Sequence, residues 1–315
     1  MTRFVLRRLV AMVLVMLAVS VLTFVIFNVI PGDDPAVRMA GKNSTATQRE
    51  AIRKEWGFDD PVYVQYWRTM QKVFTGDLVS YQNQLEVVEE IKKGAPRTFS
   101  LAIGAAIIWM GFGVAFGLFS AMRAGRFSDR LLTVVALVGV SMPVFWIGAL
   151  MNHYLGYKAG LFPNGGYAEF ADGPVDWAYH LVLPWLALAT LFIGFYSRVL
   201  RSNVLDTMND DYVRTARAKG LSERRVMVRH VLRNSMIPVV TLWGLDFGAV
   251  VGGGAILTET VFDLQGIGQY TADSIGALDQ PVVLAVVMFG AFFIVLLNAI
   301  VDIVYAALDP RIRLS

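Results

Sequence analysis

The chain has 315 residues, 56% of them hydrophobic, and a mean hydropathy of +0.53, which excludes a soluble domain with an ordinary solvated surface. Lys and Arg number 28 against 25 Asp and Glu, so the placement of charge carries more information than its total. There are no cysteines, which removes disulfides, thiolate metal sites and thiol catalysis together.

A bilayer core about 30 Å thick takes about 20 apolar helical residues. Six nearly uncharged stretches reach that length: residues 9–30, 98–122, 131–155, 179–197, 236–258 and 282–308. Arg3, Arg7 and Arg8 precede the first, as in a signal peptide, but its apolar run is longer than such a peptide needs and no small-residue cleavage site follows. It is expected to stay as a membrane anchor. Gly111, Gly113, Gly117, Pro143, Pro184 and the glycines at 252–254 lie inside these stretches, where neighbouring membrane helices tolerate small residues and loosened backbone. The expected fold is an all-α integral membrane protein with six transmembrane helices.

Residues 31–97, between the first two spans, carry signals for short amphipathic helices. Thr47 and Glu50 predict a capping box on a helix that Gly57 ends. Asp60 is expected to cap a second helix with Pro61 in its first turn, with Tyr63, Tyr66, Trp67, Met70 and Phe74 on one face and Gly76 at its end. That aromatic face suits a membrane surface or packing on the spans. Leu85, Val88 and Ile91 predict an interfacial elbow before the second span.

Basic residues set the orientation. With the N-terminus in the cytoplasm, the inner segments hold Arg3, Arg7 and Arg8, then Arg123, Arg126 and Arg130, then nine basic residues over 198–233, then Arg311 and Arg313. The short outer loops, 156–178 and 259–281, hold only Lys158 against seven acids. The positive-inside rule therefore places both termini in the cytoplasm. The resulting organisation is a tail and first span at 1–30, an extracytoplasmic segment at 31–97, a five-helix core at 98–308 with a cytoplasmic loop at 198–235, and a tail at 309–315.

That loop contains DYVRTARAKGLSERRVMVRHVLRNSMIPVV, residues 211–240. Residues 212–219 predict a short helix ended by Gly220. Ser222 is expected to cap a second helix running to the Ile237-Pro238 pair, where the chain turns into the fifth span. Ala216 and Gly220 stand four apart, so a partner backbone would approach that face closely, flanked by Arg214 and Arg217. A short rigid element of this kind suits docking into a groove of another protein. Two spans pin it to the bilayer, which argues against nucleic acid.

No GxxxxGK[ST] occurs, so nucleotide hydrolysis is expected of a partner, and no cofactor or metal is expected in this chain. His153, His180 and His230 lack ligand spacing. Asp246 lies mid-span, where an unpaired charge costs about 2.5–3.5 kcal/mol. It is a candidate pathway residue, together with Met142 and Pro143. Asp302, near the end of the sixth span, is expected to pair with a basic residue.

The run YVRTARAKGL from Tyr212, with the later Pro238, resembles the EAA loop of binding-protein-dependent ABC importers, specifically the dipeptide, oligopeptide and nickel permease family. DDPVYVQYW from Asp59, GDL from Gly76, SMPVFWIGALM from Ser141, LFPNGGY from Leu161, ETVF from Glu259 and LDPRIR from Leu308 resemble that family too, so the likeness covers nearly the whole chain. It implies the type I importer permease fold. It also implies a coupling helix that docks on an ATPase through Tyr212, Arg214, Thr215, Ala216, Arg217, Gly220, Leu221 and Pro238. Arg214 stands where the family has Glu, and Gln265-Gly266 where it has Pro-Gly, a departure confined to one outer turn. The partners implied are a second permease, two ATP-binding subunits that hold ATP and Mg, and an extracytoplasmic substrate-binding protein at a bacterial inner membrane. The substrate implied is a short peptide, with nickel or another small solute as the alternative. A proton-coupled secondary transporter fits less well, since only one central Asp and no repeat are evident.

Overall fold

The computed structural model describes residues 2–29, 36–37 and 45–308. The tail at 309–315 and the side chain of Asp302 lie outside the described residues. Helices account for the architecture, and the β pairing among the described residues is the single bridge Val79–Glu86.

The first span, α1 (Thr2–Phe24), continues as a π-helical turn through Val29 and turns Leu9, Val13 and Leu22 outward, as a lipid-facing helix must. Its far end is tied down by Ser20, whose hydroxyl shares a 2.8 Å hydrogen bond with Tyr66, and by an edge-to-face contact between Phe24 and Tyr66. Two short helices follow, α2 (Ala46–Trp56) and α3 (Val62–Thr75). The capping box on α2 is Thr45 with Gln48, two residues before the expected pair. The segment TATQRE holds two overlapping Thr-x-x-acceptor frames, and the earlier one closes. Gly57 and Gly76 end the two helices at φ +69° and +88° as expected. The aromatic face of α3 is split: Tyr66 and Met70 pack towards Leu284 and Met288, whereas Tyr63, Trp67 and Phe74 are at least 70% exposed.

No separate elbow precedes the second span. Residues 87–97 belong to a continuous helix, α4 (Val87–Met122), that carries Pro96 without breaking. Its 36 residues span about 54 Å, well beyond a bilayer core. The third span is broken rather than straight. Helices α5 (Phe127–Ser141) and α6 (Val144–Met151, extended by a π turn to Lys158) meet at 99°. Pro143 lacks an N–H and disfavours α geometry in the residue before it, and Met142 is accordingly extended at φ −88°, ψ 132°.

The fourth span, α7 (Pro174–Thr207), has 34 residues and at about 51 Å is longer than a bilayer core is thick. After it come α8 (Asp211–Ala218), the fifth span α9 (Glu223–Gly254), α10 (Ile256–Phe262), α11 (Ile267–Gly276) and the sixth span α12 (Gln280–Leu308). Among the described residues, five helices are long and apolar enough to cross a membrane, and the bent α5–α6 pair makes the sixth. The most extensive packing is α4 on α7, followed by α9 on α12, α5 on α7 and α1 on α12.

Charge fastens the end of the bundle that carries the 198–235 loop. Asp129, 3% exposed, takes Arg201 Nε and Nη2 at 2.7 and 2.8 Å, Ser120 Oγ at 2.5 Å and the Gly125 N–H at 2.8 Å. Removing one partner of a buried pair leaves an uncompensated charge, so Arg201→Met is expected to lower stability by on the order of 3 kcal/mol. Asp129→Leu with Arg201→Met should recover most of that loss. Thermal unfolding of the detergent-solubilised chain checks this, and equal losses in the single and double variants would overturn it.

Candidate functional site

The site starts from the amphipathic character of α8. Val213 is fully buried and Ala216 is 5% exposed, and both join the hydrophobic cluster that holds Leu200 and Val204 of α7 and Val226 and Val231 of α9. Arg214 and Thr215 are left at the surface. The sequence spacing placed Ala216 beside Gly220 on an open face, and the structure corrects this. Ala216 is turned into the chain's own core because it shares the i, i+3 face of Val213, leaving Arg214, Thr215, Ala218 and Lys219 outward.

Gly220 makes the corner at φ +76° with open space around it, a conformation that costs a side-chain-bearing residue strain. Arg217 reaches across the corner to Glu223, with Nε at 3.0 Å and Nη2 at 3.4 Å from its two oxygens. Leu221 packs under the corner on the same cluster. Tyr212 Oη accepts from Asn234 Nδ2 at 2.7 Å and donates to the His230 carbonyl at 3.3 Å. Between α8 and α9 lies an open cleft of about 980 Å³ lined by Asp210, Asp211, Tyr212, Arg229, His230 and Arg233.

Ser222 stands in extended conformation before α9, but its side chain makes no capping bond. Pro238 does not turn the chain: α9 runs through it without a break. A π turn at Val226–Leu232 precedes it, and such turns absorb irregular backbone in membrane helices. The bend comes instead at the other end, where a second π turn over Val250–Gly254 contains Gly253 at φ +136°.

The three candidate pathway residues are not gathered into one site. Asp246 accepts the Tyr196 hydroxyl at 2.6 Å, joining α9 to α7. Met142 and Pro143 form the α5–α6 elbow, beyond which Gly148 packs against Val261 and Phe262 of α10.

At the end opposite the loop, Glu259 in the ETVF stretch is fully buried. It accepts Thr98 Oγ1 at 2.7 Å and the Gln269 N–H at 3.0 Å. A Cβ at Gly266 would stand 2.4 Å from the Glu259 carboxylate, so that glycine is what lets the turn fold over it. Gln265 beside it has φ +53° and donates its N–H to Gln269 Oε1 at 2.7 Å. Proline can do neither, so this turn has a geometry of its own.

Residues 113–314 match the model for the binding-protein-dependent transport system inner membrane component, and residues 1–102 match its companion N-terminal model. The chain belongs to that family. It is similar to a putative peptide transport system permease protein of Brucella abortus (strain 2308), 37% identical over 99% of both chains. It also resembles a probable peptide ABC transporter permease protein of Sinorhizobium fredii, 35% identical over 98% of this chain and 99% of that one. The glutathione transport system permease protein GsiC of Salmonella paratyphi A is 38% identical over 99% of both. Among solved structures, the inward-facing MetNI methionine ABC transporter matches with a TM-score of 0.53 at 14% identity, over 70% of this chain and 97% of that one. That likeness bears on the fold.

Three fasteners of this membrane component escaped the sequence: Asp129 with Arg201, Tyr196 as the partner of Asp246, and Glu259. Asp129 falls between the second and third expected spans, and Arg201 counted only towards orientation. Their partners lie 72, 50 and 161 residues away respectively, which no local pattern encodes.

Burial pushes the Glu259 carboxyl up, against the downward pull of Thr98 and the Gln269 and Gly268 N–H groups. The folded chain therefore holds this proton to a higher pH than the unfolded chain, and stability falls as pH rises from the ordinary carboxylate range through the raised folded value. Melting temperature is expected to decline over that window and the decline to flatten in Glu259→Gln. An unchanged pH slope in the variant would show that Glu259 is not its source.

Proposed function

We propose that the chain is the permease subunit of an ATP-driven importer of short peptides. It would form the translocation pathway with a second permease and work with two ATP-binding subunits and a substrate-binding protein. The loop end faces the cytoplasm with both termini, following the placement of the arginines. The relatives named for peptide and glutathione transport, 37% and 38% identical over nearly the full length, support the substrate class.

The observation that carries the coupling role is the shared core of α7, α8 and α9. Val213 and Ala216 are packed in one cluster with Leu200, Val204, Val226 and Val231, so α8 cannot be displaced without moving the spans. Its outward side, Arg214, Thr215, Ala218 and Lys219, is the face proposed to enter a groove of the ATPase. ATP-driven approach of the two ATPases then biases a two-state equilibrium between inward- and outward-open bundles.

Lys219→Glu reverses a charge on an exposed side chain of the outward face, so the fold should keep its melting temperature. Co-purification of the ATPase and uptake of a labelled dipeptide are expected to fall at least about tenfold, the effect of a like-charge contact costing 1.4 kcal/mol or more. Wild-type uptake by that variant would remove α8 as the coupling element. Mass spectrometry of ligand retained on the binding protein checks the substrate class.

A further inference from the structure

At the end opposite the loop, α2, α3 and the start of α12 enclose a cavity of about 240 Å³. Three aromatic rings wall one side: Trp56 and Phe58 stack at 6.4 Å, and Tyr81 meets both edge-on at 5.3 and 6.2 Å. Pro281 and Leu284 add apolar surface. Small-molecule sites have this character, apolar and aromatic walls with a few placed polar groups.

The polar groups here differ in whether they are already satisfied. Arg68 is paired with Asp60. Gln65 spends its amide N–H groups on the carbonyls of Phe58 and Asp60, at 2.9 and 2.8 Å. Two groups have capacity left. The Lys72 ammonium sits 4.3 Å from the centre of the Trp56 ring and, among the described residues, has no carboxylate within ion-pair distance. Gln280 is 3% exposed; its Nε2 donates to the Phe27 carbonyl, but its Oε1 is buried and has no partner among the described residues. A buried acceptor left unpaired costs about 1–3 kcal/mol, so the cavity is incomplete without a donor.

We propose that this cavity binds a small zwitterion with an apolar side chain, an amino acid or dipeptide. Its carboxylate meets Lys72, its N–H donor meets Gln280 Oε1, and its side chain lies against the aromatic wall. The site lies at the head of the sixth span and does not depend on the transport reading.

Isothermal titration of the full chain in detergent tests it, with leucine and leucyl-alanine as probes and the leucyl-alanine amide and N-acetyl forms as controls. Saturable binding of one parent probe is expected, and the tighter of the two names the source. Each blocked form should bind at least about tenfold more weakly, as loss of a charge-assisted contact implies. Lys72→Met keeps the aliphatic stem over Trp56; it should weaken the parent probe by a similar factor and leave the amide unchanged, while Lys72→Arg retains binding. Equal binding of parent and blocked forms, or no saturable binding, overturns the proposal. So does wild-type affinity in Lys72→Met, which would place the ligand in the translocation pathway instead and leave the transport reading standing.

Discussion

Where α4 crosses α7, glycine is the only residue that fits. A Cβ at Gly113 would lie 2.7 Å from the Cβ of Tyr196, and one at Gly117 2.7 Å from the Ser197 carbonyl oxygen. Lipid tails are as apolar as leucine, so membrane helices gain little from burying side chains against each other. They depend on close backbone approach and on polar contacts. α7 meets that demand on several sides. Gly194 brings it onto the Ala136 carbonyl of α5, Arg201 binds Asp129, Tyr196 binds Asp246 of α9, and the Trp185 indole donates to the Ser100 carbonyl of α4 at 2.9 Å. The bundle is assembled around this one helix.

That centre reaches the loop without interruption. Leu200 and Val204 of α7 share a cluster with Val213 and Ala216 of α8 and with Val226 and Val231 of α9. A close-packed interior transmits displacement instead of absorbing it, so a push on α8 reaches α7 and α9 together. α9 is irregular at its two ends, with π turns at Val226–Leu232 and Val250–Gly254, and regular between them. Such turns occur frequently at functional sites, and here they bound the regular stretch of α9 that packs on α12.

The sequence was most legible where one local signal decides the outcome. Apolar length gave the spans, and Gly57, Gly76 and Gly220 ended helices where positive φ was needed. Signals that compete with tertiary packing were read less well. Pro143 breaks its span and Pro238 does not, although proline costs the same hydrogen bond in both. Period and composition do not distinguish the two. Ala216 was placed on the helix correctly, but the direction of its face depended on the cluster beneath it. Of the site, the corner and its charges could be read. The ties that hold it could not, because each pairs residues from different elements.

Those ties share one physical logic. In a medium with little water, a carboxylate must be satisfied by the protein or it destabilises the fold. Each of four acids is met by a group far along the chain: Asp129 by Arg201, Asp246 by Tyr196, Glu259 by Thr98 and Asp279 by Ser80. Together they join α5 to α7, α7 to α9, α4 to the α10–α11 turn, and residues 80–82 to the head of α12. A transporter driven by protonation needs acids that are released and recaptured during the cycle. Here the acids serve as fasteners between elements, so a change of shape has to carry whole groups of helices. Motion of that kind needs a push from outside the bundle, which is the role proposed for α8.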